Sequence, residues 1–119
     1  GLLAAALFAS QSLHIRESHF VLTDVPMTFF ITLTWVLMLR AFTRTDLHAW
    51  LWAGLAAGAA AATKYNGGVA ILLPTIGVLL HAAGLGWRLR AMVATGLAAL
   101  GMFVVCAPYT VIALPEFLN

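Results

Sequence analysis

The residues most able to do chemistry in this sequence are four of the ten charged side chains of a mostly apolar chain. Arg16, Glu17 and Asp24 lie within the segment HIRESHFVLTDVP, and Lys64 lies within AATKYNGG. A carboxylate can bind a cation or a sugar hydroxyl, an arginine fork can hold a phosphate, and a lysine can act on a phosphate as a point charge. A cluster that carries both charge signs suits a substrate with a phosphate and a polar head.

Each of these residues also has a purely structural interpretation. Asp24 fits the N-cap of a helix that has a proline in its first turn. Arg16 and Glu17 fit an interfacial ion pair, which contributes little by itself. Lys64 fits the C-terminus of a helix, where the macrodipole favours a cation, with residues 66–68 as the following turn. Both interpretations stay open at this point.

Neighbouring residues add weaker signals. Tyr65 and Asn66 could donate further hydrogen bonds to a ligand beside Lys64. His14 and Glu17 are three residues apart and could share a helix face, but this spacing is far weaker than a recognised metal motif, so no metal ligand is assigned. His48 and His81, like other residues away from these segments, carry no assigned role.

The composition places the chain among membrane proteins. Of its 119 residues, 63% are hydrophobic and 8% are charged, and the mean hydropathy is +1.01, whereas soluble domains carry about 25% charged residues. The net charge of +2 comes from scattered basic residues, which argues against nucleic-acid binding. The single Cys106 supports neither a disulfide framework nor a cysteine-ligated zinc site. The sequence also lacks the nucleotide-binding, serine-hydrolase and zinc-protease motifs of soluble enzymes.

Five apolar segments predict an all-α, polytopic transmembrane helix bundle that forms a single region over residues 1–119. A spanning helix needs about 20 apolar residues, so we expect the first segment to be a truncated span and the chain to be an internal fragment of a larger membrane protein. Gly54 and Gly58 form a GxxxG spacing, which predicts close packing of the third segment against its neighbours. The predicted segments are 1–13, 25–42, 47–64, 68–86 and 91–111.

Basic residues predict the orientation of these spans. Arg40 and Arg44 fall between the second and third segments, and Arg88 and Arg90 fall between the fourth and fifth. Two spans separate these loops, so both lie on one side, which the positive-inside rule makes cytoplasmic. Residues 14–24 and 64–68 are then expected on the non-cytoplasmic side.

Several stretches, in this order, resemble the C-type polytopic glycosyltransferases, especially the branch of protein O-mannosyltransferases and bacterial aminoarabinose transferases. They are RESHFVLTDVPMTFF, LAAGAAAATKYNGG and APYTVIALPEFL, and the resemblance extends over nearly the whole chain. In that branch an acidic residue followed by a small residue or proline opens a transmembrane helix, and an Ala/Gly-rich helix ends in a Thr-Lys motif.

The resemblance implies transfer of a sugar from a polyprenyl-phosphate donor to a protein, lipid or glycan acceptor on the non-cytoplasmic side of a membrane. The alanine-rich composition favours a bacterial plasma membrane over an endoplasmic reticulum. Asp24 matches a second acidic position near the active cavity, and Lys64 matches the basic residue that meets the donor phosphate. Arg16 and Glu17 match the polar segment before the aspartate. The family's principal catalytic base lies in an earlier outer loop, so we expect that base outside this chain and no activity from the chain alone.

The implied mechanism is an inverting displacement at the anomeric carbon, in which a carboxylate deprotonates the acceptor hydroxyl. Lys64, Arg16 or a bound divalent metal ion would stabilise the phosphate that leaves, and the sequence does not otherwise identify a cofactor. Membrane lipids are expected partners, and nucleic acid is not. Two alternatives remain at this stage, a transporter fragment and a membrane assembly subunit without chemistry of its own.

Overall fold

The computed structural model describes residues 1–11, 23–44 and 46–112, which form helices joined by short links. These residues contain no strand, so the predicted all-α class is confirmed. In chain order the elements are α1 (Leu2–Ala9), α2 (Asp24–Phe42), α3 (Leu47–Thr63), a 3-10 helix (Tyr65–Ile71), α4 (Leu72–Leu80), α5 (Leu85–Cys106) and α6 (Pro108–Ile112).

Two of these helices are long and apolar enough to cross a membrane. They are α2, with 19 residues and a mean hydropathy of 1.6, and α5, with 22 residues and a mean hydropathy of 1.9. The predicted third and fourth spans are shorter, since α3 has 17 residues and Tyr65–Leu80 is also a shorter apolar helix. The 3-10 turn rises more per residue than an α-helix, so Tyr65–Leu80 still extends about 28 Å, close to the ~30 Å of a hydrocarbon core.

The predicted segment bounds hold for α2 and α3 and are wrong for the next two helices. The fourth helix ends at Leu80, and α5 begins at Leu85, so Arg88 and Arg90 lie in the first two turns of α5 and not in a loop. Long arginine side chains reach water from a helix end, so charges do not have to interrupt the helix there. The Arg88 Nε also donates a hydrogen bond to the His81 carbonyl oxygen at 3.0 Å, which ties the start of α5 to the end of α4.

The small residues of α3 let α5 approach its backbone closely. A Cβ at Gly54 would overlap the carbonyl oxygen of Thr95, and a Cβ at Gly58 would overlap that of Ala99. The Thr95 hydroxyl donates to the Trp50 carbonyl oxygen at 3.4 Å across the same contact. Small residues at such positions allow helices to pack tightly in lipid, so the packing expected from the GxxxG spacing is confirmed.

Aromatic rings gather where the α2–α3 link and the α4–α5 link meet. His81 lies 5.7 Å from Phe42, 5.8 Å from Trp50 and 4.8 Å from Trp87, measured between ring centroids. These contacts place both links at one end of the bundle. This end, hereafter the arginine end, carries Arg40, Arg44, Arg88 and Arg90. The four arginines therefore lie at one end of the bundle.

Polar and apolar groups on the helices are arranged as an apolar solvent requires. The hydroxyls of Thr28, Thr32 and Thr34 in α2 each donate to the carbonyl four residues earlier, at 2.7–2.8 Å. Hydroxyls satisfied in this way need no water. On α5 the outward stripe is apolar, with more than half of each side chain exposed at Leu89, Val93, Leu97 and Leu100.

Candidate functional site

An ion pair joins two of the sequence-predicted site residues at the end of the bundle opposite the arginines. The Lys64 Nζ donates a hydrogen bond to the Asp24 Oδ1 at 2.7 Å, although the two residues lie 40 positions apart. The Lys64 and Asp24 side chains remain 37% and 49% exposed. The pair therefore forms a contact between α2 and α3 that a ligand can still reach.

Asp24 reaches this pair because it is the first residue of α2. The N-cap is Thr23, whose side chain makes no capping hydrogen bond, so the interpretation of Asp24 as the N-cap is wrong. A carboxylate in the first turn is still favoured by the positive end of the helix dipole. Since its oxygens are not engaged by α2 backbone amides, the Asp24 carboxylate is free to bind the lysine. The sequence pattern around Asp24 fits an N-cap and a first helical residue equally well, so it does not show which of the two Asp24 is.

Lys64 is held at the point where α3 ends. Its backbone is extended, which stops the helix, and its N–H still bonds to the Ala60 carbonyl oxygen at 3.4 Å. The expected turn at residues 66–68 is wrong, because a 3-10 helix starts at Tyr65 and the Gly67 N–H donates to the Lys64 carbonyl oxygen at 2.7 Å. In a sequence, consecutive glycines fit a turn as well as they fit a 3-10 helix, so only the packing decides between these two structures.

Gly67 is a site-positioning residue that the sequence did not single out. It is buried, and a Cβ at this position would overlap the carbonyl oxygen of Ala60 in the last turn of α3. The neighbouring Gly68 has only an ordinary contact, 3.8 Å from the Ala61 Cβ. The absence of a side chain at Gly67 therefore lets the 3-10 helix fold back against α3 directly after Lys64. The glycine pair was the available signal, but the sequence does not say which glycine matters.

A small apolar cluster supports the ion pair from inside the bundle. Ala57, Ala60 and Ala70 are buried together, and partly buried Phe30 and Ile31 of α2 pack against them. Because this cluster joins α2, α3 and the 3-10 helix, it sets the relative positions of the helix ends that carry Asp24 and Lys64.

The pairing raises the pKa of Lys64 above its usual value. The hydrogen bond to Asp24 is the main cause, and the negative charge of Asp24 adds to it. The lysine is therefore firmly protonated at neutral pH. An ammonium group has three N–H donors, and among the described residues Asp24 is the one side chain that Lys64 bonds to, so further donors can serve a bound anion. The second Asp24 oxygen can accept from a hydroxyl group.

The other expected site residues are distributed differently. Tyr65 is 84% exposed and Asn66 is exposed, both in the first turn of the 3-10 helix beside Lys64. Arg16 and Glu17, together with His14, lie outside the described residues. Within the described ranges no group of three or more His, Cys, Asp or Glu side chains could hold a metal ion.

The sequence profile of the family described as dolichyl-phosphate-mannose-protein mannosyltransferase matches residues 1–119, which is the whole of this chain. The chain belongs to this family. The resemblance drawn from the sequence is thereby confirmed, and the chain is part of a glycosyltransferase family of integral membrane proteins. Comparison with curated proteins and comparison with solved structures give no match.

Membership in the mannosyltransferase family explains why the chain combines exposed apolar surfaces with a charged pair. The outward apolar stripe of α5 fits the apolar surroundings of an integral membrane protein, which favour apolar side chains on outward helix faces. Charged groups inside the membrane are costly unless they are paired or hydrated, and they often mark sites of function. Asp24 and Lys64 pair with each other, and both side chains stay partly exposed to solvent.

Proposed function

We propose that this chain forms part of a membrane glycosyltransferase that moves mannose from a dolichyl- or related polyprenyl-phosphate donor to a protein hydroxyl. The family match supports the reaction type and the donor class. The observation that carries the site is the Asp24–Lys64 ion pair, because it assembles a cation and a carboxylate from two helices in one accessible place.

In the proposed reaction the acceptor hydroxyl oxygen attacks the anomeric carbon of the donor sugar. Its proton passes to a carboxylate general base that lies outside this chain. The bond between the anomeric carbon and the phosphate oxygen breaks, its electron pair stays on the phosphate, and the configuration at the carbon inverts. The polyprenyl phosphate leaves with one more negative charge than it had in the donor.

Lys64 has the role of stabilising that charge. A fixed cation beside a developing oxyanion stabilises the transition state more than it stabilises the bound substrate, and this lowers the barrier. Asp24 acts as a positioning residue, since it holds the ammonium with one oxygen and leaves the other for a sugar hydroxyl. Arg16 supplies a second cation, Glu17 orients Arg16, and Tyr65 and Asn66 add hydrogen bonds at the rim.

The reaction is assigned to the non-cytoplasmic side. The four arginines lie at the opposite end of the bundle from the ion pair, and basic residues favour the cytoplasmic side. The alanine-rich composition favours a bacterial plasma membrane. A transporter is less well supported, because the charged residues within the described helices lie near helix ends and not at mid-membrane depth.

The test is donor turnover by the complete protein in detergent or proteoliposomes, with polyprenyl-phosphate mannose and an acceptor peptide. Lys64→Met is expected to lower kcat about 100-fold, the size expected for loss of one transition-state donor. Asp24→Asn is expected to lower it less. Arg90→Gln, an exposed charge change at the arginine end, is the matched control and should keep full activity.

A charge-swapped double variant, Asp24→Lys with Lys64→Asp, separates catalysis from simple pairing. It can re-form an ion pair and should keep the thermal stability of the protein, but its cation then projects from α2 and should not restore transfer. Full activity in Lys64→Met, or recovery of activity in the swapped variant, would show that the pair is only structural.

A further inference from the structure

The arginine end contains a second polar cavity, away from the ion pair. Its volume is about 260 Å³, and its polar lining consists of Arg40, Arg44, Asp46 and His48. Trp52 completes the wall and is 62% exposed. Arg40 lies 16 residues along α2 from Asp24, which places the cavity about 24 Å from the start of that helix at 1.5 Å per residue.

The two arginines in this cavity have guanidinium donors that the described residues leave without a partner. Within the described residues, the Arg40 and Arg44 guanidinium groups form neither a salt bridge nor a side-chain hydrogen bond. The Asp46 carboxylate has other partners, since its Oδ1 accepts from the His48 backbone N–H at 3.0 Å and lies 3.1 Å from the His48 Nδ1. The cavity therefore contains two guanidinium groups and one carboxylate, and that carboxylate already caps α3.

We propose that this cavity binds the phosphate of an anionic membrane lipid in the leaflet at the arginine end. Guanidinium groups match phosphate oxygens with paired donors. The apolar lining of Leu37, Ala49 and Trp52 suits the lipid below its headgroup, and exposed tryptophan is favoured at headgroup depth. Basic pockets between membrane helices bind such headgroups. This lipid site is independent of the sugar-transfer reaction proposed for the opposite end.

The test measures lipid retention by native mass spectrometry of the complete protein, titrated in neutral detergent with phosphatidylglycerol or with zwitterionic phosphatidylcholine. The wild-type protein should retain phosphatidylglycerol preferentially. Arg40→Gln and Arg44→Gln should each weaken its binding about fivefold, the effect of one basic residue near a lipid surface. Arg90→Gln removes the same charge from the same end outside the cavity and should change binding less than twofold. Thermal melts establish that each variant is folded.

Three outcomes would overturn the assignment. Equal loss in Arg90→Gln would indicate general surface charge and no built site. Equal retention of phosphatidylcholine would show that the anionic headgroup is not recognised. Complete displacement of phosphatidylglycerol by millimolar inorganic phosphate would show that the cavity takes a soluble anion and not a lipid. Arg44→Lys keeps the charge without the fork, and it should bind between the wild-type protein and Arg44→Gln.

Discussion

The two ends of the bundle are held together in different ways. At the arginine end, Trp50 is fully buried with Met38 and Val78, and its ring packs against His81 and Trp87. At the opposite end the buried apolar cluster of the described residues consists of three alanines, and one partly exposed ion pair lies beside it. Large interlocked rings therefore fix one end, while small side chains and two charges join the other.

This difference indicates how the bundle can combine rigidity with an accessible charged site. Dense packing of large side chains contributes much of the stability of a helix bundle, whereas a partly exposed ion pair contributes little. If the aromatic end and the α3–α5 contact hold the helices, the Asp24–Lys64 pair is free to exchange partners when a substrate arrives. The predictions below test this division, beginning with the largest expected effect.

Truncation of Trp50 should be the most damaging single change. Trp50→Ala is expected to lower the free energy of unfolding by about 3 kcal/mol or more, because it removes the largest buried ring. Phe30→Ala at the opposite end removes a partly buried ring and should cost clearly less. Both values come from reversible unfolding in mixed micelles, and equal losses would contradict the proposed difference between the ends.

Trp50→Phe refines the same experiment. The Trp50 Nε1 is buried and has no hydrogen-bond partner in the part of the chain that the structure describes. The phenylalanine keeps a ring against His81 and removes that unsatisfied donor, so it should cost much less than Trp50→Ala. A cost as large as that of the alanine variant would show that the indole N–H has a bonding role.

The two adjacent glycines at the ion-pair end provide the next test. Gly67→Ala should destabilise the protein by about 1–3 kcal/mol, since its Cβ has to displace the last turn of α3. It should also reduce transfer activity by moving Lys64. Gly68→Ala places the same methyl group in ordinary contact and should stay within about 0.5 kcal/mol of the wild-type protein. Similar behaviour of the two variants would contradict the assigned role of Gly67.

The smallest expected effect is the dependence of stability on pH, which should differ between the ends. The pKa of Asp46 lies below its usual value, mainly because the His48 backbone N–H and then the His48 ring hydrogen-bond to it. A lowered folded pKa stabilises the protein above the unfolded value, and that contribution is lost as the pH falls below about 3.9. Asp46→Asn should therefore flatten the acid limb of the melting temperature against pH.

The contribution of Lys64 to stability depends on pH in the opposite direction. Its raised pKa contributes stability that is fully present below the unfolded value and is lost as the pH rises above about 10.4. Lys64 is the only lysine in the sequence, so Lys64→Met should flatten the alkaline limb and leave the contribution of Asp46 in place. An alkaline limb unchanged by Lys64→Met would show that the ion pair contributes nothing to stability.

Local sequence patterns predicted a large part of this architecture. Hydropathy gave the membrane class and the bounds of α2 and α3, and the GxxxG spacing predicted the contact between α3 and α5. The scattered arginines predicted which links share one end. These features could be predicted because hydrophobic length, helical period and charge bias are properties of short segments. The start of α5 was misplaced because a count of apolar residues stops at Arg88 and Arg90, whereas a helix does not have to.

The sequence by itself determined that Asp24 and Lys64 lie at the same end of neighbouring helices. Only the tertiary structure decided that they touch, that Thr23 and not Asp24 is the N-cap of α2, and that Gly67 holds the 3-10 helix against α3. An ion pair across 40 residues depends on the register and separation of α2 and α3. These are set by side-chain packing between the helices, and no pattern within either segment records them.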